Sequence, residues 1–454
     1  MCLSGKIAQV HKHSDTLLSD TLLSDTLHSL IHRYTNTPMH TLYTLTLHLY
    51  GLLLRLAALS NPKAAQWVAG RRGWRSQHQA LLEKKPRGKS PLLWVHCASL
   101  GEFEQGRPVI EQLKAEQTGL KILLTFFSPS GYEVRKNYEE ADYITYLPLD
   151  TAANARDFVA LWQPTAAIFV KYEFWYYHLR ALRTAGIPIV LISALFRQGQ
   201  LFFRWYGGFF RQLPGWFTHI FVQNESSASQ LRDAGFHNFT VAGDTRIDRV
   251  QQIAEKAPAF PLVEQFAGQA PILVIGSCWP EDEAYLLPFL NEQFPSDWKA
   301  IIAPHQVDEG HIQQILKKVK LPYFRYSQGQ EEPEARVLVI DNVGMLSALY
   351  QYGRIAYIGG AFGSGLHNTL EPIAFGLPVI FGPRFQKFEE ARYLVRSGGG
   401  FSISSQVELQ ERFCGLLPED AYREASQKAR EYVLANSGAS RKAVAFIQQL
   451  IKEG

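Results

Sequence analysis

Cysteine is scarce. The 454 residues hold four, at positions 2, 97, 278 and 414, with no Cys-x-x-Cys pair and no metal-ligand spacing. That excludes a disulfide framework and fits a reducing compartment, with the thiols buried or idle. A strong charge of one sign is missing too. Lys and Arg number 46 against 42 Asp and Glu, and a net +4 is too small to mark a nucleic-acid binder. A long apolar run is also lacking. Leu42 to Leu59 would span only about 27 Å as a helix, which is marginal for crossing a bilayer. No small-residue cleavage site precedes the basic run that follows, so no cleavable signal is expected.

What is present is a globular composition, 46% apolar and 19% charged, in a chain long enough for three average domains or two larger ones. Residues 1–38 stand apart. Leu-Ser-Asp-Thr-Leu recurs there between positions 14 and 27, in a polar tract without helix or strand punctuation. We expect either a disordered extension or a mis-assigned start, with Met39 the true beginning. Residues 39–62 read as a membrane-anchor helix. Thr44, His48, Gly51 and Arg55 recur at i, i+4, i+7 and i+11 and form one polar stripe, while leucines cover the rest. Such a helix spans or lies on a membrane surface, or docks on its own domain. Lys63, Arg71, Arg72, Arg75, Lys84, Lys85, Arg87 and Lys89 follow, opposed only by Glu83, and would face the cytoplasm and anionic lipid.

From residue 90 short apolar runs alternate with amphipathic segments. The first set lies at 92–96, 121–125, 166–170, 187–192 and 219–222, and a second at 272–275, 299–303, 337–340, 355–358 and 378–381. Alternation of this kind predicts parallel strands buried on both faces. The fold class expected is therefore α/β, two doubly wound Rossmann-like domains (63–250 and 251–454) facing a cleft, with a last helix over 421–453 crossing back.

Open α/β sheets bind ligands beyond the carboxyl ends of their strands. The polar clusters fall there: Ser99, Gly101, Glu102 and Glu104; Lys171, Glu173 and Trp175; Ser277; Pro304-His305-Gln306; Asp341, Gly344 and Met345. The richest is the glycine loop from Gly359 to Gly365, followed by His367, Asn368 and Glu371. It is expected to run straight into a helix that carries those three polar residues in its first turn. Glycines admit a close ligand, and free N–H groups at a helix start attract phosphate.

Ser99-x-Gly101-Glu102, Glu173-x-Trp175, Gly243-Asp244-Thr245-Arg246-x-Asp248, Asp341-x-x-Gly344 and Gly365-x-His367-Asn368-x-Leu370-Glu371-Pro372 occur in one order. In that order the chain resembles the 3-deoxy-D-manno-octulosonate (Kdo) transferases of Gram-negative lipopolysaccharide synthesis, from about Leu42 to the end. The resemblance implies a GT-B fold, CMP-Kdo as donor and a lipid A precursor as acceptor. It also implies inverting transfer without a metal or cofactor, no nucleic-acid partner, and placement on the cytoplasmic face of the inner membrane. Residues 63–250 would bind acceptor and 251–454 the CMP-Kdo donor. Glu102 matches the catalytic base, since a sugar hydroxyl must lose its proton as it attacks; by itself it also reads as a helix cap beginning near Gly106. Ser99, Gly101, Lys171, Glu173 and Arg197 fall on the acceptor side. Ser277, Pro304, His305, Asp341, Gly344, Met345, Gly365, His367, Asn368 and Glu371 fall on the donor side.

The chain departs from the family at four places. Lys171 replaces the first glutamate of Glu-x-Glu-x-Trp, and the partners expected for its charge are Glu173 or an acceptor phosphate. Pro304-His305-Gln306 stands for Pro-Arg-His, Arg246 for Lys, and Leu195 for an Arg that Arg197 would replace. Phe196 to Trp216 mixes aromatics with Arg197, Arg204 and Arg211. It reads as a membrane-facing surface or an amphipathic core helix. The alternatives in function are a soluble GT-B nucleotide-sugar epimerase, which needs no anchor, and a non-catalytic nucleotide-sugar binding protein, which needs no Glu102.

Overall fold

The computed structural model describes residues 39–204, 207–329, 332–363 and 365–453. The extension 1–38, with the readings attached to it, lies outside the described residues, as do Trp205, Tyr206 and Ser364. The chain divides into two compact units, one ending at Val241 and resuming at Ala443, the other running from Ala242 to Lys442.

The first unit holds a seven-stranded sheet of β1 (Leu92–Cys97), β2 (Lys121–Phe126), β3 (Tyr143–Tyr146), β4 (Ala166–Val170), β5 (Ile189–Ala194), β6 (His219–Val222) and β7 (Phe239–Val241). Its order is β3-β2-β1-β4-β5-β6-β7, parallel throughout. Every residue of β1, β4 and β5 is buried, as expected of strands covered by helices on both faces. Residues from Ala443 onward belong here. Phe446 lies 4.7 Å from the His219 ring and 5.8 Å from Phe221.

The second unit repeats the plan with β8 (Ile272–Cys278), β9 (Lys299–Pro304), β10 (Tyr323–Arg325), β11 (Val337–Val339), β12 (Ile355–Ile358), β13 (Val379–Phe381) and β14 (Gly400–Ser402). Their order is β10-β11-β9-β8-β12-β13-β14, again parallel. This unit begins at Ala242 rather than 251, because the helix Thr245–Glu255 buries Ile247 and Val250 in the second core. The single helix expected over 421–453 is two, Glu419–Asn436 and Ala439–Glu453. They part at Gly438, whose φ of +94° only glycine adopts without strain.

The amino-terminal helix spans 39–57, and no helix among the described residues is long and apolar enough to cross a membrane. Near its amino-terminal end three polar side chains turn toward its own unit, while His48 and Arg55 of the expected polar stripe are exposed. Tyr43 donates to Asp150 Oδ2 at 2.6 Å, Thr44 pairs with the Tyr177 hydroxyl at 2.6 Å, and His40 meets Tyr176 at 3.0 Å. Asp150 is fully buried and also accepts from the backbone of Tyr177 and His178 and from the His178 ring. Leu42, Leu45, Leu49, Leu52, Leu53 and Leu56 face outward, each more than half exposed.

The basic run is not uniformly a surface. Arg71 donates to the carbonyls of Trp67, Phe127 and Leu147 and lies over the Trp67, Phe127 and Tyr146 rings. The aromatic stretch 196–216 is not one amphipathic helix either. It is a pair of 3₁₀ turns and a four-residue helix, with Phe196, Phe202 and Phe209 buried in the first core. Rings that large are drawn into the core, which corrects the membrane-facing reading for them.

Candidate functional site

In each sheet the connections from the first strand diverge to opposite sides, between β1 and β4 in the first and between β8 and β12 in the second. Diverging connections open a crevice there. Both polar clusters lie at these points.

In the first unit the chain leaves β1 through Ser99 and enters a helix at Leu100, earlier than expected near Gly106. Glu102 therefore lies inside the first turn, where the helix dipole favours a carboxylate. The Ser99 hydroxyl donates to Glu102 Oε2 instead of capping a backbone N–H. Gly101 is exposed beside them, and an added Cβ there would touch only Ser99 Oγ, at 3.8 Å. Glu104 is drawn off by Arg135 at 2.8 Å.

At the end of β4, Lys171 has a left-handed φ of +70°. Bulky residues rarely hold that conformation unless their surroundings impose it. Its ammonium lies 5.3 Å from the Tyr172 ring centre, and among the described residues it forms no ion pair with Glu173. Glu173 turns inward instead. Trp175 Nε1 donates to Glu173 Oε2 at 2.6 Å and to His96 Nε2 at 3.0 Å, while His96 Nδ1 meets Thr125. Tyr172 is a residue the sequence did not single out. Burial pushes its phenol up, Arg197 pulls it down and Glu102 raises it, so all three share one electrostatic neighbourhood. Arg197 itself is exposed.

The second cluster is built on β8, β9 and β12. Ser277 is left-handed, at φ +53°. Trp279, His305 and His367 form a stack: the Trp279 and His305 ring centres are 4.2 Å apart, and those of His305 and His367 are 4.7 Å apart. Trp279 Nε1 donates to His367 Nε2 at 2.8 Å. Burial, with His305 adding to it, pulls the His367 pKa below its ordinary value. Pro304 is buried and places His305 at the stack.

The glycine loop is not an open cradle of N–H groups. Gly359, Gly363, Gly365 and His367 donate their N–H groups to Gly276, Gly360, Gly360 and Gly359 carbonyls. Gly360 donates to Asp282 Oδ2 at 2.8 Å. Asp282 is fully buried and also accepts from Trp279 N and the Tyr357 hydroxyl, tying loop, helix start and β12 together. The expected helix begins only at Leu370 and has five residues, so His367 and Asn368 precede it. Asn368 Oδ1 accepts from Leu370 N at 3.1 Å, and its amide donates to Glu371 at 3.0 Å. These backbone groups are satisfied within the loop, which leaves side chains to face any ligand. Arg384, after β13, donates to the Gly363 carbonyl at 2.8 Å and brings a cation to the loop. The strand-end rule that found His305 would have found Arg384 as well.

Asp341 is engaged within its own unit. Arg325 reaches it at 2.7 Å and Ser327 at 2.5 Å, and although burial opposes it, these bonds hold its carboxyl below the usual range. Gly344, at φ +97°, lies on the exposed turn that follows, and Met345 is buried. Around Gly243 the motif is scaffold. Asp244 caps the helix Thr245–Glu255 and binds Arg246 at 2.7 Å, while Asp248 accepts from Gly438 and Ser440 N–H groups.

A family model described as 3-deoxy-D-manno-octulosonic-acid transferase (kdotransferase) matches residues 70–249. The 3-deoxy-D-manno-octulosonic acid transferase of Aquifex aeolicus (strain VF5) is 30% identical over 344 residues, 75% of this chain and 90% of the relative. Among solved structures, UDP-GlcNAc 2-epimerase from Neisseria meningitidis, bound to UDP-GlcNAc, matches at TM-score 0.55 and 15% identity over 80% of this chain and all of that one. MurG from Acinetobacter baumannii matches at TM-score 0.50 and 14% identity, over 79% and 99% of the two chains. At such identities these two likenesses concern fold alone, and that fold is GT-B.

Proposed function

The chain belongs to the 3-deoxy-D-manno-octulosonic acid (Kdo) transferase family, glycosyltransferases of lipopolysaccharide synthesis, and we propose that it moves Kdo from CMP-Kdo to a lipid A precursor with inversion. The observation that carries this reading is the Glu102 carboxylate, held in the first helical turn after β1 by the Ser99 hydroxyl. In the reaction an acceptor hydroxyl gives its proton to Glu102 as its oxygen bonds to the anomeric carbon. The bond from that carbon to the CMP phosphate breaks, and CMP leaves with the electron pair. Lys171, Tyr172 and Arg197 supply the acceptor side with cations and a hydroxyl. Glu173 fixes the strand end through the Trp175 indole, which also donates to His96.

On the donor side His367, Asn368 and Arg384 meet phosphate and the Kdo carboxylate, with Ser277 beside them. His305 takes the position of the family arginine, so its ring stacks on Trp279 and His367 where a guanidinium would make a bidentate contact. Glu371 receives ribose hydroxyls. Asp341, Gly344 and Met345 shape the turn beside the donor. The outward leucines of helix 39–57 lie on the cytoplasmic face of the inner membrane, beside a membrane-borne acceptor. An epimerase reading rests on fold likeness alone, and a binding protein has no use for the Ser99–Glu102 pair.

Incubation with CMP-Kdo and tetra-acylated lipid A precursor should give a product heavier by whole Kdo units in a mass spectrum. Unchanged acceptor mass would reject the proposal. Glu102→Gln keeps a side chain of the same shape without the base, and kcat should fall about 10²–10⁴-fold while CMP-Kdo binding persists. Undiminished turnover by that variant would remove Glu102 from the role.

A further inference from the structure

A cavity of about 840 Å³ lies under the amino-terminal helix, walled by the helix Pro62–Ala69, the start of the helix Trp74–Lys84 and the 148–151 loop. Its charged lining is four arginines, Arg55, Arg71, Arg72 and Arg75, with His48 and no aspartate or glutamate. Two of the four are already committed. Arg71 is spent on three carbonyls, and Arg75 holds Asp157 at 2.6 Å. Arg55 and Arg72 are exposed, and among the described residues their guanidiniums make no hydrogen bond or ion pair; Arg72 is engaged only through its backbone, with Ala69 and Gln77. Two unpaired guanidiniums over a pocket without acids make a fork-shaped anion site.

The position of the cavity identifies the anion. At about 3.6 residues per turn, His48 and Arg55 fall on the flank between the inward face and the leucine face of helix 39–57. Leu52 and Leu56, both outward, adjoin Arg55 on that helix. A ligand seated on the arginines would have its remainder running along exposed leucine. That is the chemistry of a membrane phospholipid, with a phosphate head and apolar tails.

We propose that this cavity binds the phosphate of an anionic membrane phospholipid through Arg55 and Arg72, with the acyl chains along the leucine stripe. The proposal rests on the membrane reading above and sharpens it from a diffuse basic surface to a stoichiometric pocket. The full chain is tested by flotation with vesicles of pure phosphatidylcholine, with vesicles carrying about 30% phosphatidylglycerol, and with phosphatidylcholine vesicles carrying the lipid A precursor. Wild type should favour phosphatidylglycerol over phosphatidylcholine about tenfold or more. Arg55→Lys/Arg72→Lys keeps both charges but loses the planar forks, and should lose most of that preference while binding phosphatidylcholine normally. A lysine pair that binds like wild type would reduce the effect to diffuse charge and overturn the pocket. A preference seen only with the lipid A precursor would make it an acceptor site and overturn the phospholipid assignment. Leu52→Ser/Leu56→Ser should weaken binding to all vesicles; no loss there would overturn the membrane reading itself, whatever the arginine result.

Discussion

An indole N–H donates and never accepts, so the 2.8 Å contact from Trp279 leaves a lone pair on His367 Nε2. The neutral ring then keeps its proton on Nδ1, and protonating His367 requires breaking the Trp279 bond. His305 packs against the same ring and opposes a second charge. The buried Asp282 is occupied by Gly360, Trp279 and Tyr357, and Glu281 lies beside Gly363. If His367 meets the donor as proposed, Trp279 is a positioning residue that keeps its ring neutral with the proton on Nδ1. Trp279→Phe preserves the stack and removes the N–H. Nitrogen NMR of the labelled imidazole should show one tautomer in wild type and a mixture in the variant. An unchanged spectrum would deny Trp279 that role. A second histidine sets a pH limit. His78 is buried among aromatic rings, accepts from Trp162 at 3.2 Å, and burial pulls its pKa from 6.5 down to about 4. Below pH 6.5 the unfolded chain takes a proton that the folded one refuses, so stability is full above 6.5 and falls toward pH 4. The loss amounts to on the order of 3 kcal/mol once the window is crossed. Denaturant titrations across that range should show a flatter dependence, by about one proton, for His78→Phe.

The loop between β12 and the helix at Leu370 is held by close backbone approach, and its glycines differ in what they tolerate. A Cβ on Gly359 would lie 2.3 Å from the Ser277 carbonyl oxygen and 2.5 Å from Cys278 Cα, both backbone of β8. Neither can step aside. Gly363 has nothing nearer than 3.4 Å, the carboxylate of the exposed Glu281. Gly359→Ala should therefore cost about 1–3 kcal/mol or more and weaken CMP binding, while Gly363→Ala should stay within about 0.5 kcal/mol. Equal effects in unfolding and CMP titrations would contradict this account of the loop. The same element shows what one-dimensional pattern conveys. Apolar runs disclosed the ten inner strands, including β1, β4, β8 and β12 that carry the site. They did not disclose β3, β7, β10 and β14, which are the four sheet edges. An edge strand pairs on one side and needs less apolar cover, so Tyr-Ile-Thr-Tyr, Phe-Thr-Val, Tyr-Phe-Arg and Gly-Phe-Ser give no run to detect. At the site, strand ends located His305 and His367. Sequence could not show that the loop N–H groups turn inward, or that Trp279 and Tyr172 join in, because those facts depend on partners up to 88 residues away.

For the molecule as a whole, the chain ends outside the unit it has just built. Ala439 and Ser440 are buried in the second unit, where Asp248 holds the Ser440 N–H at 2.6 Å. From Ala443 onward the same helix belongs to the first unit: Ala443, Val444 and Ile447 are buried, Phe446 lies on His219 and Phe221, and Gln448 donates to Glu116 at 2.7 Å. The first sheet thus depends on residues more than 200 positions later in the chain than its last strand. Each buried aliphatic or aromatic side chain contributes about 1.5–3 kcal/mol, so the segment supplies several kcal/mol of a total that is typically about 5–15. A chain ended at Lys442 should lose that contribution from one unit only. Hydrogen exchange should quicken at His219–Val222 and Phe239–Val241 and along Leu100–Glu116, while Ile272–Cys278 and Ile355–Ile358 stay protected and CMP still raises the melting temperature of the unit that binds it. Exchange quickened equally in both sheets, or CMP binding lost with the tail, would mean that the terminal residues serve the second unit as much as the first.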